Sequence, residues 1–580
     1  MRIVVVGGVA AGMSCAARAR RLDEHAEIVV FERSEHVSYA NCGLPYHIGE
    51  VIEDRERLLL QTPQSLRDSL ALDVRIGTEV VAIDARARTV RARELATGEE
   101  YDQPYDGLAL CPGAAPVVPP LPGVEHPAVH VLRNVRDMDR IKAAVDGTPD
   151  RAPIGHAVVI GGGYIGLEMA ENLRHRDVEV VLVEMAPQLM PPLDRELTTA
   201  MEAHLREHGV QLHLGTRAAA FRDAPHGRVR VELESTATVT TDLVVLAAGV
   251  RPQTELAVAA GIELGPRGGI KVDDHLRTNL PDVYAAGDAI EVEHAVLPGA
   301  WIIPLAGPAN RQGRVVADNL CGRDSTFSAV QGTGIVQVFD LVAGGVGANQ
   351  RQLEAAGIPF ARVHLHPSGH AGYYPGTSAM HLKVLFAPDT GRLLGAGIVG
   401  FDGVDKRLDV LATALRAGLS VFDLEELELA YAPPFSSAKD PVNMAGFLGA
   451  NLLRGDVRLW YAEDYPDAVA GARIVDVRGA DEFAAWHLPG AHNVPLAELR
   501  ERAQDWDRDQ PVRLYCAVGF RSYLAYRALA QRGFTDVSTL AGGMTTFRAT
   551  LELVPQPGVD SRAPVVSYAE DRTGSNRVSP

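Results

Sequence analysis

The sequence predicts an α/β protein. Two copies of a strand–turn–helix–strand unit come first, then a mixed α+β region, then a further α/β domain near the C-terminal end. Three observations predict this. Two glycine-rich turns, at 7–12 and 161–166, each join a β-branched strand to a helix. In both copies a second β-branched strand follows and ends on a glutamate. Closer to the C-terminal end, two apolar strands and a helix flank a cysteine loop at 516–522.

In chain order, 3–6 reads as a strand, Gly7-Gly8-Val9-Ala10-Ala11-Gly12 as a tight turn, and the small residues that follow as a helix to about Leu22. A second strand at 27–31 leads to Glu32. Glycines let the backbone approach a pyrophosphate at a helix N-terminus. Glu32, twenty residues past Gly12, is placed to accept from ribose hydroxyls. Val9 departs from the pattern, standing where the second glycine belongs.

The second copy is complete: a strand at 157–160, then Gly161-Gly162-Gly163-Tyr164-Ile165-Gly166, and a strand at 179–183 ending on Glu184. Two fingerprints imply two dinucleotides. A carboxylate at Glu184 favours a free 2′-hydroxyl, hence NADH over NADPH, although a solvated strand end would carry the same residue.

Between and after these units, 105–113 reads as a buried strand ending in Pro112-Gly113, and 278–288 as a loop and strand ending in Gly287-Asp288. Strands and helices alternate from 331 to 450, as at 334–338 and 408–419. The stretch 448–467 reads as a connector. Strands at 474–477 and 512–515 and a helix at about 521–532 make the last domain. The polar final 25 residues read as a tail.

Length and composition bound the function. At 580 residues the chain has room for about three to five domains. Its net charge of −18 leaves no electrostatic footprint for nucleic acid. No run of about 18 apolar residues reads as a membrane span. The first residues pass from a short apolar run into glycines, unlike a secretory signal. A cytoplasmic enzyme is the expectation. Five cysteines (Cys15, Cys42, Cys111, Cys321 and Cys516) make neither a disulfide scaffold nor a metal cage.

Over residues 1–450 the order of these signals resembles that of the flavoprotein disulfide reductases. The resemblance implies two Rossmann-like FAD/NAD(P)-binding domains and an α+β dimerisation domain. The FAD-binding parts would be 1–150 and 276–330, the NADH-binding domain 151–275 and the dimerisation domain 331–450. FAD contacts would fall on Gly7, Val9, Ala10, Ala11, Gly12, Glu32, Arg33, Asn41, Cys42, Val80, Pro112, Gly113, Asp288 and Tyr431. NADH contacts would fall on Gly161, Gly163, Tyr164, Ile165, Gly166 and Glu184.

Cys42 lies in Ser38-Tyr39-Ala40-Asn41-Cys42-Gly43-Leu44-Pro45-Tyr46, and the next cysteine is Cys111. With no local partner, a cysteine beside a flavin must cycle through an external bond: a mixed disulfide, a persulfide or a sulfenic acid. The segment is similar to that of the coenzyme A disulfide reductases, whose single cysteine alternates between thiolate and a mixed disulfide with coenzyme A.

Two further segments match that family: His370-Ala371-Gly372-Tyr373-Tyr374-Pro375-Gly376, and Tyr431-Ala432-Pro433-Pro434-Phe435-Ser436-Ser437-Ala438-Lys439-Asp440. The resemblance implies hydrogen-bonding or acid roles for Tyr373 and Tyr431 across the subunit boundary of a homodimer. It implies coenzyme A contacts at Ser14, Arg18, Arg21, Ser38, Asn41, Asn310 and Lys439. Coenzyme A is polyanionic, and Arg18, Arg20 and Arg21 would supply local cations, unless they are simply solvated. Related peroxidases carry a histidine where Ala10 stands. Its absence argues against peroxide chemistry and leaves oxygen reduction open.

The loop Cys516-Ala517-Val518-Gly519-Phe520-Arg521-Ser522 precedes a helix and resembles that of the rhodanese sulfurtransferases. So do Asp476-Val477-Arg478, His487 to Asn493 and Leu540 to Met544. Such a loop curls its N–H groups around the sulfur and stabilises a thiolate or persulfide without metal or base. The resemblance implies a linker at 451–467, a rhodanese-like domain at 468–555 and a tail at 556–580. Cys15, Cys111 and Cys321 read as small buried hydrophobes, and His487 and His492 as fold-holding.

Together these readings predict an NADH-dependent coenzyme A disulfide or persulfide reductase with a sulfurtransferase domain. Its partners would be a second copy of the chain and small thiols or persulfides. The alternatives are an NADH oxidase using a Cys42 sulfenic acid, and a sulfur carrier or sensor acting through Cys516.

Overall fold

The computed structural model describes residues 1–150 and 152–551. The expected tail, and positions 552–555 of the last domain, lie outside the described residues. The chain divides into two units: Met1–Leu189 with His208–Gly332, and Met190–Glu207 with Thr333 onward.

The first unit contains the same parallel five-stranded sheet twice. In one, the order is Val283–Ala285, Gly107–Leu110, Arg2–Val6, Glu27–Phe31, Asp73–Arg75. In the other it is Val129–Val131, Leu243–Leu246, His156–Ile160, Glu179–Glu184, Val210–Leu214. The strand before each glycine turn is central, and its valines and isoleucines are buried, as both faces of a covered parallel sheet require. Each sheet also carries a three-stranded antiparallel excursion, Thr78–Asp84 to Glu100–Pro104 and Ala218–Ala224 to Thr238–Thr241.

The helices Ala10–Leu22 and Tyr164–His175 start from the two turns. At Gly12 and Gly166, the same position in the two copies, a Cβ would sit 1.8 and 1.9 Å from the carbonyl oxygens of Gly7 and Gly161. Only glycine lets the helix come this close to the turn. Val9 adopts φ −117°, so the turn does not demand a glycine's positive φ at the position where the pattern has one.

The second unit has an antiparallel sheet in the order Gly334–Val338, Leu341–Gly347, Leu393–Gly400, Met380–Phe386, Ala361–Leu365. Helix Val404–Ala417 covers one face, with Leu408 against Gly344, and helix Arg195–Glu207 the other, with Leu197 against Gly397. A parallel sheet follows, in the order Leu459–Trp460, Val537–Leu540, Val512–Tyr515, Arg473–Asp476, His492–Asn493.

Three expected boundaries move. Strand Val129–Val131, expected within the FAD-binding part, pairs with Leu243–Leu246 of the second sheet. Residues 190–207, expected within the NADH-binding domain, belong to the second unit. There the fully buried Lys383 ammonium donates to Glu196 at 2.6 Å and to Gln350 at 2.8 Å, and pairs with Asp194 at 2.9 Å. The expected linker is structured: helix Pro441–Arg454 runs past 450, Leu459–Trp460 is an edge strand, and Val457, Trp460, Ala462 and Tyr465 are buried. A two-residue strand has no periodicity from which to read it. No helix among the described residues is long and apolar enough to cross a membrane.

Candidate active site

A cleft of about 660 Å³ opens at the C-terminal ends of the first parallel sheet. It is lined by Gly7 to Gly12, Glu32, Arg33, Asn41, Val80, Pro112, Gly113 and Asp288. These are the expected FAD residues apart from Cys42, which adjoins Asn41, and Tyr431, which lies in the second unit. Glu32 is braced, its carboxylate accepting from the Gly8 N–H at 2.8 Å and the Ser34 N–H at 2.8 Å. Glu184 repeats the arrangement with Gly162 at 2.6 Å and Ala186 at 2.7 Å. A carboxylate oxygen accepts more than one hydrogen bond, so each can hold its turn and a ribose hydroxyl together.

The residues fit the expected dinucleotides. The turn and helix N-terminus suit a pyrophosphate, Glu32 a ribose and Asp288 a polyhydroxyl chain. Burial raises the Asp288 carboxyl, opposed by the Arg133 guanidinium. A Cβ on Gly163 would meet nothing, which leaves open space in the second turn.

Cys42 sits in a short 3₁₀ turn, Asn41–Gly43, immediately before helix Leu44–Ile48. It is exposed, and its Sγ lies 4.0 Å from Asn41 Oδ1. Its thiol is pushed up by burial first, then by the Glu168 and Asp288 carboxylates. Ser38, just upstream, adopts φ +48°, a strained conformation of the kind that clusters at functional sites.

The other cysteines differ. Cys15 and Cys111 are buried, and burial raises both, Cys111 to about 12. Cys321 is half-buried and also raised by burial. Protonated thiols of this kind are poor nucleophiles.

The expected coenzyme A residues are distributed unevenly. Ser14 and Asn310 hydrogen-bond each other across two packed helices. Arg18 donates to Asp318 at 2.8 Å, while Arg21 is exposed. Arg20, expected with them as a surface cation, is buried, and its fork is taken by the carbonyls of Leu70, Asp23, Glu24 and Ala71. It therefore holds the fold and is withdrawn from any ligand.

In the second unit, Tyr373 and Tyr431 join hydroxyl to hydroxyl at 2.9 Å and are 75% and 50% exposed. Lys439 is exposed next to buried Asp440.

Cys516 is the other cysteine expected to react. Cys516 is fully buried at the end of strand Val512–Tyr515, and the Gly519 N–H donates to its sulfur at 3.1 Å. Helix Phe520–Ala530 starts from the loop and points its N-terminus at it. Helix Gly543–Leu551 braces the other side, Met544 N–H on the Cys516 carbonyl at 2.9 Å and Thr545 N–H on that of Ala517 at 3.0 Å. Ser522 ties back to Gly519, and Arg521 forms a two-pronged pair with Glu482 at 2.7 Å on each prong. Ala517, Val518 and Phe520 supply the remaining loop side chains, and Phe520 is 59% exposed at the mouth.

Sequence reasoning missed four groups. Arg133 enters the flavin cleft and donates to Gln253 at 3.2 Å. Burial pushes the Glu168 carboxyl up to about 7, and Glu168 acts electrostatically on both Tyr46 and Cys42. Glu482 engages the loop arginine. Tyr46 alone left a trace, standing four residues past Cys42 at helical spacing.

Comparison with known proteins agrees with this arrangement. Residues 1–313 match the family described as pyridine nucleotide-disulphide oxidoreductase, 334–441 its dimerisation domain, and 461–550 a rhodanese-like domain. A coenzyme A disulfide reductase from Staphylococcus haemolyticus (strain JCSC1435) is 35% identical over 454 residues, covering 78% of this chain and 100% of that protein. The crystal structure of reduced Bacillus anthracis CoADR-RHD is 44% identical with a TM-score of 0.92, covering 95% of this chain and 98% of that one. An NAD-dependent persulfide reductase from A. fulgidus is 35% identical with a TM-score of 0.87, covering 94% and 100%.

Proposed function

The chain belongs to the pyridine nucleotide-disulphide oxidoreductase family, and from that membership we propose that it is an FAD-dependent NADH:coenzyme A disulfide and persulfide reductase with a sulfur-relaying rhodanese-like domain. One observation carries the reading. An exposed thiol, Cys42, follows the cleft residue Asn41 with no cysteine partner in its segment, and the same chain holds Cys516 in a loop whose Gly519 N–H donates to its sulfur.

FAD in the cleft supplies the two-electron relay between NADH and sulfur. Cys42, as thiolate, attacks the S–S bond of the substrate. A bond forms to Cys42, and the other sulfur leaves and takes a proton. Two electrons from NADH then cleave the new bond and restore the thiolate. Coenzyme A persulfide, NADH and a proton thus give coenzyme A, hydrogen sulfide and NAD⁺, whereas coenzyme A disulfide gives two coenzyme A thiols.

Cys516 accepts sulfane sulfur from a donor such as polysulfide, stabilised by the Gly519 N–H, and passes it to coenzyme A or to Cys42. Persulfide is the favoured physiological substrate, because disulfide reduction alone has no use for Cys516. Glu184 selects NADH, since a carboxylate beside the ribose repels a 2′-phosphate. Arg21 and Lys439 suit the phosphates of coenzyme A. Tyr373, Tyr431 and the exposed Phe435 form an aromatic face suited to a second copy of the chain in a homodimer.

The test follows NADH oxidation without oxygen, using coenzyme A persulfide, coenzyme A disulfide or no acceptor, and then repeats it in air. Turnover on the coenzyme A substrates, with sulfide released from the persulfide and activity lost in Cys42→Ser, is expected. Turnover only in air, indifferent to coenzyme A, would mean an oxidase.

A further inference from the structure

Cys516 is fully buried, so a sulfur donor must shed hydration to reach it. The loop around it offers little to a charged donor. Its contact with the sulfur comes from the Gly519 N–H at 3.1 Å, and the side chains on either side of that glycine, Val518 and Phe520, are apolar and exposed. Leu524, one turn after Phe520 on helix Phe520–Ala530, extends the exposed apolar face.

The two polar side chains of the loop are already engaged. Ser522 donates its hydroxyl to the Gly519 carbonyl at 3.0 Å and accepts from Thr539 at 2.7 Å. Arg521, the single cation between Cys516 and Ser522, donates from both terminal nitrogens to Glu482, at 2.7 Å each. Helix Ala480–Ala485 carries Glu482, whose carboxylate also accepts from the Gly479 N–H at 3.0 Å. Burial opposes its ionisation, but Arg521 and Gly479 hold the Glu482 carboxyl below its ordinary value, so the pair is ionised and its charge cancels. The strand beside that of Cys516 adds no net cation, since Arg478 pairs with Asp476 at 2.7 Å. Arg548 lies over the Trp486 ring, 5.6 Å from its centroid.

We propose that the Cys516 loop selects its donor by leaving group: it takes sulfur from a sulfur chain such as polysulfide and rejects sulfur oxyanions such as thiosulfate, with Glu482 determining the choice by cancelling Arg521. The inference rests on the sulfurtransferase reading above. With either donor the Cys516 thiolate bonds to the outer sulfane sulfur, the donor's own S–S bond breaks, and the group behind it leaves with the electron pair. One S–S bond replaces another, so no oxidant or reductant is consumed. From polysulfide the leaving group is a shorter sulfur chain, whose diffuse charge is weakly hydrated and tolerates an apolar mouth. From thiosulfate it is sulfite, a compact dianion whose oxygens need a cation or several N–H donors. Selectivity then comes from what the loop withholds from the wrong donor.

The test uses the full-length protein with FAD bound, carrying Cys42→Ser so that sulfur stays on Cys516. Persulfide formation at Cys516 from inorganic polysulfide and from thiosulfate is timed by alkylation and mass spectrometry, in that background and with Glu482→Gln or Phe520→Lys added. Thiosulfate should load Cys516 at about a hundredth of the polysulfide rate or less. Glu482→Gln keeps an acceptor for the Gly479 N–H and frees the charge of Arg521. Its thiosulfate rate should rise about tenfold or more while its polysulfide rate stays within about threefold. Phe520→Lys places a cation at an exposed position and should shift the rates the same way. Circular dichroism identifies a variant that does not fold, and the other variant then decides.

A pair that merely held the loop in shape would lower both rates together when broken, and that result would overturn the proposal. So would thiosulfate loading as fast as polysulfide loading in the starting protein, or no gain on thiosulfate in the folded variants. No persulfide on Cys516 from either donor would instead overturn the sulfurtransferase reading, and this inference with it.

Discussion

At the residue scale, five cysteines of one chemical type sit in different surroundings, and the proposed division of labour follows from them. Cys15 and Cys111 are sealed into the first unit and burial raises their thiols, whereas Cys42 is exposed next to the cleft residue Asn41 and Cys516 lies under a curled loop. Division of labour between the last two predicts that Cys516→Ser retains coenzyme A disulfide reduction within about twofold. The same variant should lose persulfide formation from polysulfide, read by mass spectrometry of the trapped protein; equal loss of both activities would contradict it. Glu184 gives a second prediction. Its carboxylate accepts two backbone N–H groups and lies where a ribose would bind. Charge-assisted hydrogen bonds contribute about 1.5–3 kcal/mol each, so Glu184→Ala should raise KM for NADH about tenfold or more and narrow the preference over NADPH. Steady-state kinetics with both nucleotides checks it.

At the element scale, the edge strand Ala361–Leu365 and helix Gly543–Leu551 enclose histidines that the fold keeps neutral. His366 reaches Thr546 on that helix at 2.9 Å, and its ring lies 4.3 Å from that of His381, centroid to centroid. Burial pushes His364, His366 and His381 down, His381 to about 3. In the unfolded chain each would titrate near about 6.5. Their contribution to stability is therefore complete above that pH and is lost as pH falls from about 6.5 toward 3. At pH 5.5 the unfolded chain takes up protons that the three buried rings refuse, so the second unit is less stable there than at pH 7.5. Urea unfolding followed on the second unit should show a midpoint clearly lower at pH 5.5 than at 7.5. His366→Leu should flatten that dependence, and an unchanged slope would count against the argument.

At the scale of the whole molecule, a matched dimerisation domain carries an exposed aromatic face, with Tyr373 and Phe435 75% and 66% exposed. Exposed aromatic patches of this kind mark association surfaces. Light scattering on the eluting protein should give twice the chain mass. Phe435→Asp should yield a monomer with at least tenfold less coenzyme A disulfide turnover, because Tyr373 and Tyr431 would no longer be supplied across the boundary. A monomeric wild type would refute the dimer.

The residues with local signatures were legible without the fold. A glycine turn between β-branched strands declares a dinucleotide site, because φ and close backbone approach are local demands that leave few residue choices. Cys42 and Cys516 were legible for a similar reason, each standing in a short contiguous segment. What only the tertiary structure decided is what depends on pairing across long separations. Strand Val129–Val131 joined the second sheet, and Lys383 drew Asp194 and Glu196 into the second unit. Arg20 turned inward while Arg21 stayed in solvent. Helices Leu44–Ile48 and Tyr164–His175, far apart in the chain, came together at Gly49 and Asn172. Burial and proximity belong to the packed chain, and the shift of a carboxyl toward neutrality follows from them alone.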